Sequence, residues 1–392
     1  MARELPTNGH IEMLKNDMSP DTLCAQALGW IEPTTKAIVP PVHMSTTNLR
    51  DEDNEYRSGR SYIRSDSAAW DQAEELITRL EGGAASLLFA SGMAAATACF
   101  LALRPGDHIV APQVMYWGLR KWLIGDGAAW GLKTDFVDMT DLEKVRAVAR
   151  PGKTKIIWAE TPANPMWQVF DLSGLAEIAH SVGARLGVDS TCATPILTQP
   201  IALGADIVMH AATKYLNGHS DVLAGCLTSA RQDEYWQRLQ SVRNSCGAVL
   251  GSFETWLLLR GMRTLPLRVR QACLNAQHVA DGLSRHPGVE EVLYPGLSTH
   301  PQHALAARQM RGGFGGMLSV RVKGGESAAI RAAARVTLWK RATSLGGVES
   351  LIEHRASIEG QGTPVPSDLL RLSAGIEDPA ELLADISEAL NR

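Results

Sequence analysis

Residues 184–229 read ARLGVDSTCATPILTQPIALGADIVMHAATKYLNGHSDVLAGCLTS. Three short apolar runs, ARLGVD, ADIVMH and DVLAGCLTS, alternate there with segments rich in small and turn-forming residues. Runs this apolar and this short predict strands covered on both faces, as in a mostly parallel α/β sheet. Asp189 ends the first run and Lys214 follows the second. Ligands of such sheets bind at the carboxyl ends of strands, so this stretch also predicts where the functional site lies.

The same alternation extends toward the N-terminus. Four further apolar runs precede the stretch, at 86–90 (SLLFA), 107–112 (DHIVAP), 133–138 (KTDFVD) and 154–160 (TKIIWAE). MAAATACFLAL, DLEKVRAVA and LSGLAEIAHSVG lie between runs and have apolar residues three or four positions apart, which predicts helices. Residues 84–103 carry no charge and are long enough to span a bilayer, but Ser91-Gly92 in the middle favours a buried strand, a turn and a buried helix. We therefore expect a doubly wound α/β domain and no membrane span.

The remainder of the chain has a different order of elements. A helical stretch at 254–286 is followed by a strand-like run at 315–322, a helix at 328–336, an irregular loop around 343–365, the segment LLRLSAGIE (369–377) and a last helix. This order predicts a smaller α+β C-terminal domain. We place the division into an N-terminal segment (1–64), a large domain (65–262) and a C-terminal domain (263–392).

The overall composition excludes several classes of protein. The chain has 392 residues with 35 Gly, 19 Pro, 45% apolar residues and a net charge of −4, which excludes collagen, disordered chains and small disulfide scaffolds. No basic run offers the clustered Lys and Arg that nucleic acids require. Six scattered cysteines without a C-x-x-C pair, and an N-terminus (MARELPTNGH) without an apolar signal core, predict a reducing cytoplasm and no structural metal.

Polar residues at four strand ends form a coherent set. Ser91-Gly92-Met93 stands between a strand and a helix, where backbone N–H groups can hold a phosphate, although small residues at such turns are also simply steric. Asp189 is either a buried carboxylate that pairs with a cation or a helix N-cap. Lys214 is either a solvated lysine or a desolvated amine nucleophile, and Asn164 supplies an amide. An anion site, a carboxylate and an amine together suggest pyridoxal phosphate.

The chain also resembles a known family. DSTCATPILTQPIALGADIVMHAATKYLNGHSDVLAG (189–225) is similar to the core of the Cys/Met-metabolism family of pyridoxal-phosphate enzymes, which contains cystathionine synthases and lyases and methionine γ-lyases. LEGGAASLLFASGMAA (80–95), SLGGVESLIEH (344–354) and LLRLSAGIED (369–378) match it in the same order. The resemblance covers about residues 36–390. It implies a fold type I, aminotransferase-like large domain and pyridoxal 5'-phosphate as the cofactor.

The resemblance implies a role for each matching residue. Lys214 would bind the cofactor aldehyde, Asp189 would pair with the pyridine nitrogen and Ser344 would help to position Lys214. The remaining implied contacts are ring stacking by Tyr116, phosphate N–H groups from Gly92 and Met93, a hydroxyl from Thr213, a bond to the ring oxygen from Asn164, and a grip on the substrate carboxylate by Arg371. Tyr62 and Arg64 resemble a pair that reaches the phosphate of a neighbouring subunit, which implies that the N-terminal segment contacts that subunit in a homodimer or homotetramer.

Several positions depart from the family pattern. Ala211 stands where a serine is usual, so one phosphate hydroxyl is missing. The run 66–70 (DSAAW) replaces a usual Asn-Pro-Thr, 117–119 (WGL) replaces Gly-Gly-Thr, and Arg355 stands where many members have proline. These changes leave the cofactor chemistry intact and bear on the choice of substrate.

We expect an enzyme that eliminates or replaces the γ-substituent of an L-amino acid, with Lys214 moving the protons. Water, a thiol or a proton would then decide between hydrolase-like, synthase and lyase outcomes. The alternatives are β-elimination of cystathionine and γ-elimination of a guanidinooxy amino acid such as canavanine, which the acidic run 51–55 (DEDNE) would favour through a cationic distal group. A non-catalytic protein that binds a phosphate ligand is the alternative of another class.

Overall fold

The structure is a computed structural model that describes residues 18–360 and 362–391. The N-terminal residues 1–10, on which the signal-peptide prediction rests, lie outside the described part, as does the beginning of the predicted N-terminal segment. The described residues form two sheets with helices packed against them.

The first sheet contains the seven predicted strands. Their bounds, β1 to β7, are Ala85–Phe89, His108–Pro112, Lys133–Val137, Thr154–Glu160, Arg185–Asp189, Ile207–His210 and Gly225–Ser229. The order across the sheet is β1-β7-β6-β5-β4-β2-β3. Pairing is parallel from β6 to β3, whereas β7 runs antiparallel to β1 and β6. The prediction of a mostly parallel sheet is confirmed. β4 has the predicted bounds, β1 is shifted by one residue toward the N-terminus, and the other strands lie within the predicted runs, with β7 beginning four residues later than expected.

Helices cover the sheet on both faces. The helices, α1 to α14, are Pro20–Gln26, Asp71–Glu81, Gly92–Leu101, Trp117–Trp122, Leu142–Val148, Leu172–Ser181, Thr194–Leu197, Glu234–Cys246, Ser252–Met262, Leu265–Leu283, His303–Gln309, Gly325–Arg335, Arg355–Glu359 and Pro379–Asn391. Alternate residues of β4 enter different cores, with Ile156 and Trp158 packed in the cluster of α3 and Ile157 in that of α6. A strand with both faces buried explains why these runs are apolar throughout.

The second sheet belongs to the C-terminal part. It contains β8 to β12, which are Val289–Leu293, Met317–Val322, Lys340–Arg341, Leu351–His354 and Leu369–Ser373, in the order β10-β11-β12-β9-β8. Pairing is antiparallel except between β10 and β11. Helices α10, α12 and α14 pack with this sheet in one core. The expected smaller α+β unit is confirmed, whereas the domain bounds at 64 and 262 stay a prediction.

Two local expectations are corrected by the structure. Residues 343–365 were expected to form an irregular loop, but they contain β11 and α13. The strand is only four residues long and includes a charged residue, and it exists because it pairs with β12. The helical stretch 254–286 is two helices, since α9 ends at Met262 and Pro266 lies in the first turn of α10.

The charge-free window at 84–103 forms β1, a turn at Ser91 and α3, as its composition predicted. Among the described residues, no helix has the length and apolarity needed to cross a bilayer.

Candidate functional site

The site is built where parallel strands end. β4, β5 and β6 are neighbours, and the last residue of β4, Glu160, lies opposite the last residue of β5, Asp189. His210 ends β6 and lies four residues before Lys214. The topology therefore places Glu160, Asp189 and the segment that carries Lys214 at one edge of the sheet, as the sequence predicted for the last two.

Lys214 is a half-buried amine that is held by a residue between β10 and β11. Its Nζ donates a hydrogen bond to Oγ of Ser344 at 2.8 Å. Burial lowers the pKa of Lys214 to about 8, and the neighbouring charge of Arg371 acts in the same direction. Ser344 has a φ of 94°, a left-handed backbone conformation that is uncommon for a residue with a side chain. An amine with this pKa is far more often unprotonated at neutral pH than a solvated lysine.

Asp189 presents one carboxylate oxygen to the protein and the other toward the site. Oδ1 accepts hydrogen bonds from the backbone N–H of Thr191 at 3.0 Å and from its hydroxyl at 2.5 Å. Among the described residues no donor reaches Oδ2. Burial raises the pKa of Asp189, although the bonds from Thr191 oppose that change. A cationic ring nitrogen at Oδ2 would stabilise the ionised carboxylate.

The start of α3 offers free backbone donors. The Ser91 side chain caps the helix by accepting from the N–H of Ala94 at 3.1 Å. The N–H groups of Gly92 and Met93 point out of the first turn and have no acceptor in the part of the chain that the structure describes. A Cβ on Gly92 would lie 2.6 Å from the Cβ of Ala211. Ala211, which stands where the family usually has serine, therefore contacts this turn. A phosphate fits these donors.

Thr213 lies next to Lys214, but its hydroxyl already has partners. It donates to the backbone carbonyl of Ala224 at 3.1 Å and accepts from the N–H of the same residue at 2.9 Å. A phosphate would have to share this hydroxyl with the backbone of Ala224. The expected contribution of Thr213 to phosphate binding is therefore smaller than the family pattern implies.

Glu160 is a functional residue that sequence reasoning missed. Its two carboxylate oxygens accept from the backbone N–H groups of Tyr116 at 2.5 Å and Asn164 at 2.9 Å. One buried carboxylate thus holds both the predicted ring-stacking residue and the predicted ring-oxygen ligand. Burial, together with the nearby carboxylate of Asp189, raises the pKa of Glu160 well above its usual range. The signal that singled out Asp189, a carboxylate at the end of an apolar strand, was present here too.

Tyr116 caps α4 and is 41% exposed, so its ring is accessible from the mouth of the site. A Cβ on Gly118 would lie 2.8 Å from the ring, so the glycine allows the ring to lie against the backbone. Burial raises the pKa of the phenol, and the cation of Arg355 opposes that effect.

Arg371 joins the site from β12. It lies opposite Glu353 of β11, and its Nη2 donates to the carboxylate of Glu353 and to the carbonyl of Ser344, each at 2.8 Å. Its Nη1 lies 3.4 Å from Oδ1 of Asn164. Burial lowers the pKa of Arg371 to about 10, which still leaves a cation at neutral pH. The structure therefore brings Lys214, Ser344, Asn164 and Arg371 together from both sheets.

Tyr62 and Arg64 are not joined to this cluster within one chain. Tyr62 is 47% exposed, and the guanidinium of Arg64 donates to the carbonyl of Asn244 at 2.9 Å and lies 5.9 Å from the Tyr62 ring centre. In the described residues no hydrogen bond or ion pair connects either side chain to Lys214, Asp189 or Arg371. Exposed positions of this kind are accessible to a second subunit.

One departure from the family pattern, Trp117, borders a cavity. This cavity of about 300 Å³ is lined by residues of α4, by Glu359 at the end of α13 and by the segment that follows, among them Trp117, Arg120 and Thr363. The acidic run lies elsewhere on the surface, where Arg57 forms ion pairs with Asp51 and Asp53. Two carboxylates of that run are thus already paired with a cation of the same chain.

The chemistry of these donor and acceptor groups fits pyridoxal phosphate. An amine with a lowered pKa, a buried carboxylate with one unpaired oxygen and a helix start with free N–H groups match the aldehyde, the ring nitrogen and the phosphate. An arginine next to the amine matches an amino-acid carboxylate.

The chain is similar to known proteins over most of its length. The model of the Cys/Met metabolism PLP-dependent enzyme family matches residues 21–391. Cystathionine gamma-synthase of Mycobacterium bovis is 43% identical over 92% of this chain and 93% of its own length, and cystathionine gamma-lyase of Dictyostelium discoideum is 40% identical over 91% and 94%. A solved structure of cystathionine gamma synthase from Xanthomonas oryzae pv. oryzae, in complex with aminoacrylate and cysteine, has a TM-score of 0.90, 36% identity and coverage of 95% and 98%. The chain therefore belongs to the Cys/Met metabolism family of pyridoxal-phosphate-dependent enzymes, as the four motifs indicated.

Proposed function

We propose that this enzyme uses pyridoxal phosphate to eliminate or replace the γ-substituent of an L-amino acid. The observation that carries the proposal is the Lys214 amine, half-buried, held by Ser344 and adjacent to the Arg371 cation. An amine that can accept and return protons, next to a group that holds a carboxylate, is what chemistry on an amino acid requires. Relatives named γ-synthase and γ-lyase, each about 40% identical over most of the chain, support γ-chemistry.

The bound cofactor supplies an electron sink for the carbanion that forms at Cα. Lys214 would hold the cofactor aldehyde, and its amine would take up the Cα proton of the substrate. Asp189 would pair with the ring nitrogen and Tyr116 would lie against the ring, while Glu160 holds the Tyr116 backbone. Arg371 binds the substrate carboxylate, which presents the Cα proton to Lys214.

Gly92 and Met93 would hold the phosphate through backbone N–H groups, with a smaller contribution from Thr213. Asn164 would bind the ring oxygen, and Ser344 orients Lys214 through the 2.8 Å bond between Oγ and Nζ. We place the leaving group in the cavity whose lining includes Trp117 and Glu359.

The active unit is a homodimer or a pair of dimers, with Tyr62 and Arg64 of one subunit reaching the phosphate of the other. The exposure of both side chains supports this role. We also place the enzyme in the cytoplasm, because all six cysteines are unpaired and five of them are buried.

Product analysis tests the reaction. The cofactor-loaded protein is incubated separately with cystathionine, methionine, acyl-homoserines and canavanine, with and without a thiol, and the carbon products are identified by mass spectrometry. 2-Oxobutyrate, or a thioether formed at Cγ when a thiol is present, is expected. Pyruvate with homocysteine from cystathionine would mean β-elimination and would refute the proposal. Lys214→Ala is the matched control and should give no product.

A γ-lyase for canavanine is the second candidate, and the acidic run at 51–55 is what favours it. Arg57 already pairs with Asp51 and Asp53, so Glu52 and Glu55 are the carboxylates left to test. Replacing both with glutamine should slow canavanine turnover and leave neutral substrates unchanged. Equal rates for the variant and the parent would remove the support for a cationic distal group.

A further inference from the structure

Four buried charged side chains form a chain that begins at Arg371, the residue proposed to bind the substrate carboxylate. Oε2 of Glu353 accepts from Nη2 of Arg371 and from Nη1 of Arg355, each at 2.8 Å, and Oε1 of Glu359 accepts from Nη2 of Arg355 at 2.8 Å. The four side chains are only 4–6% exposed. Buried charges are tolerated when they are paired, and here two guanidinium groups balance two carboxylates.

Arg355 has no part in the chemistry proposed above, yet it faces the same site. Its charge adds to the effect of burial that lowers the pKa of Lys214, and it opposes the effect of burial that raises the pKa of Tyr116. Since its Nη1 and the Nη2 of Arg371 both lie 2.8 Å from one oxygen, the two guanidinium groups are immediate neighbours. Among the described residues, Nε of Arg355 and Oε1 of Glu353 are buried without a hydrogen-bond partner.

Glu353 competes with the substrate for Arg371. A guanidinium binds one carboxylate best through two parallel N–H···O bonds. In the structure Glu353 offers Arg371 only Oε2 and shares that oxygen with Arg355, so the fork of Arg371 is incompletely paired. Without Arg355, Glu353 could turn both oxygens toward Arg371 and occupy the position that a substrate carboxylate needs.

We propose that Arg355 is a positioning residue that holds Glu353 away from a two-oxygen pair with Arg371 and so keeps Arg371 available for the substrate carboxylate. The inference rests on the proposed function, in which Arg371 binds that carboxylate. The inference assigns a role to Arg355, which stands where many members of the family have proline.

Binding of a non-reacting amino acid tests this role. Glycine has a carboxylate and no γ-substituent, and methylamine has the amine alone; each is titrated against the cofactor-loaded protein by the absorbance of the bound cofactor. Glu359→Gln is the parent, because removing Arg355 alone would leave Glu359 buried and unpaired. Adding Arg355→Met to this parent should weaken glycine binding about tenfold, the effect of one modest charge interaction, and change methylamine binding less than twofold. Unchanged glycine binding, or equal losses for both ligands, would overturn the inference.

A double-mutant cycle tests whether Arg355 acts through Glu353. With Glu353→Gln added to the same Glu359→Gln parent, no carboxylate competes for Arg371, so Arg355→Met should then weaken glycine binding by less than about threefold. A full tenfold loss in that background would show that Arg355 acts independently, and the inference would be wrong.

Arg321→Met is the matched control, since Arg321 forms an ion pair with Asp368 in the same sheet but outside the charge chain. Its glycine affinity should match the wild type, and an equal loss there would also overturn the inference. If the wild-type protein itself shows no absorbance change with glycine, the proposed function fails and this inference with it. A normal wild-type response with unaffected Arg355 variants would refute only the role of Arg355.

Discussion

The Lys214 amine should titrate near pH 8 in the cofactor-free protein. Its pKa is lowered from 10.5 to about 8, first because burial disfavours the ammonium and second because Arg371 repels it. At pH 7 a group with a pKa of 8 is ~10% unprotonated, compared with ~0.03% for a solvated lysine of pKa near 10.5. The structure therefore predicts a roughly 300-fold larger supply of reactive amine at neutral pH.

Competitive labelling measures this difference directly. The cofactor-free protein is treated with trace acetic anhydride at pH values from about 6 to 11, the range that brackets both amines, and the acetylation of each lysine peptide is quantified by mass spectrometry. A lysine in a short unfolded peptide, added to the same reaction, provides the reference curve of a solvated amine. We expect the midpoint for Lys214 about two pH units below that of the reference peptide. Coincident midpoints would refute the argument from burial.

A variant separates the two causes. Arg371→Leu removes the repelling cation but leaves the burial of Lys214 largely intact, so the Lys214 midpoint should rise and still remain below that of the reference peptide. A rise all the way to the midpoint of the reference peptide would mean that charge, and not burial, is the main cause.

Three further changes have outcomes that the structure specifies. In Glu160→Gln, one of the two backbone N–H groups that donate to Glu160 would face the NH2 of the new amide. The variant should therefore lower the free energy of unfolding in urea by about 1–3 kcal/mol and weaken the binding of pyridoxal phosphate, measured by fluorescence. Gly225→Ala would place a Cβ 2.2 Å from the carbonyl oxygen of Ser91, so the start of α3 must shift and the cofactor Kd should rise at least about tenfold, whereas an unchanged Kd would contradict the close approach. The pKa of Asp233 is lowered from 3.8 to about 2, because the bond from Arg185 and further bonds outweigh the opposing effect of burial. A lowered acid pKa stabilises the fold above the unfolded value, so Asp233→Asn should cost about 1 kcal/mol at pH 7. That difference should vanish as the pH falls through 3.8 toward 2, as measured by unfolding at each pH; a constant difference would count against the ion pair.

The large sheet could be predicted from the sequence because most of its strands are buried on both faces and therefore appear as apolar runs, whereas β3, at an edge of the sheet, is mostly half-buried. Asp189 was found by the same reasoning, since a buried carboxylate at the end of such a run needs a cationic partner or hydrogen-bond donors. Glu160 ends the strand next to it, and its sequence signal is the same, but the two groups that donate to it are backbone N–H groups, which no motif records.

Other parts of the site depend on pairing between distant segments. Glu353 lies in a four-residue strand that was expected to be loop, and it meets Arg371 only because β11 pairs with β12. The bonds that occupy Thr213 come from Ala224, eleven residues later, in a loop whose path local patterns do not determine. Short strands and loop contacts are set by tertiary structure, so single-residue reasoning from the sequence could not place them.

The edge position of β1 has a consequence for folding. β1 pairs only with β7, although about 140 residues separate the two strands, and α3 begins three residues after β1 ends. During synthesis, β1 therefore has no neighbour until β7 has left the ribosome. The helix start that receives the phosphate is fixed late, and a nascent chain cut before β7 should be unable to retain the cofactor even though it already contains Asp189 and Lys214.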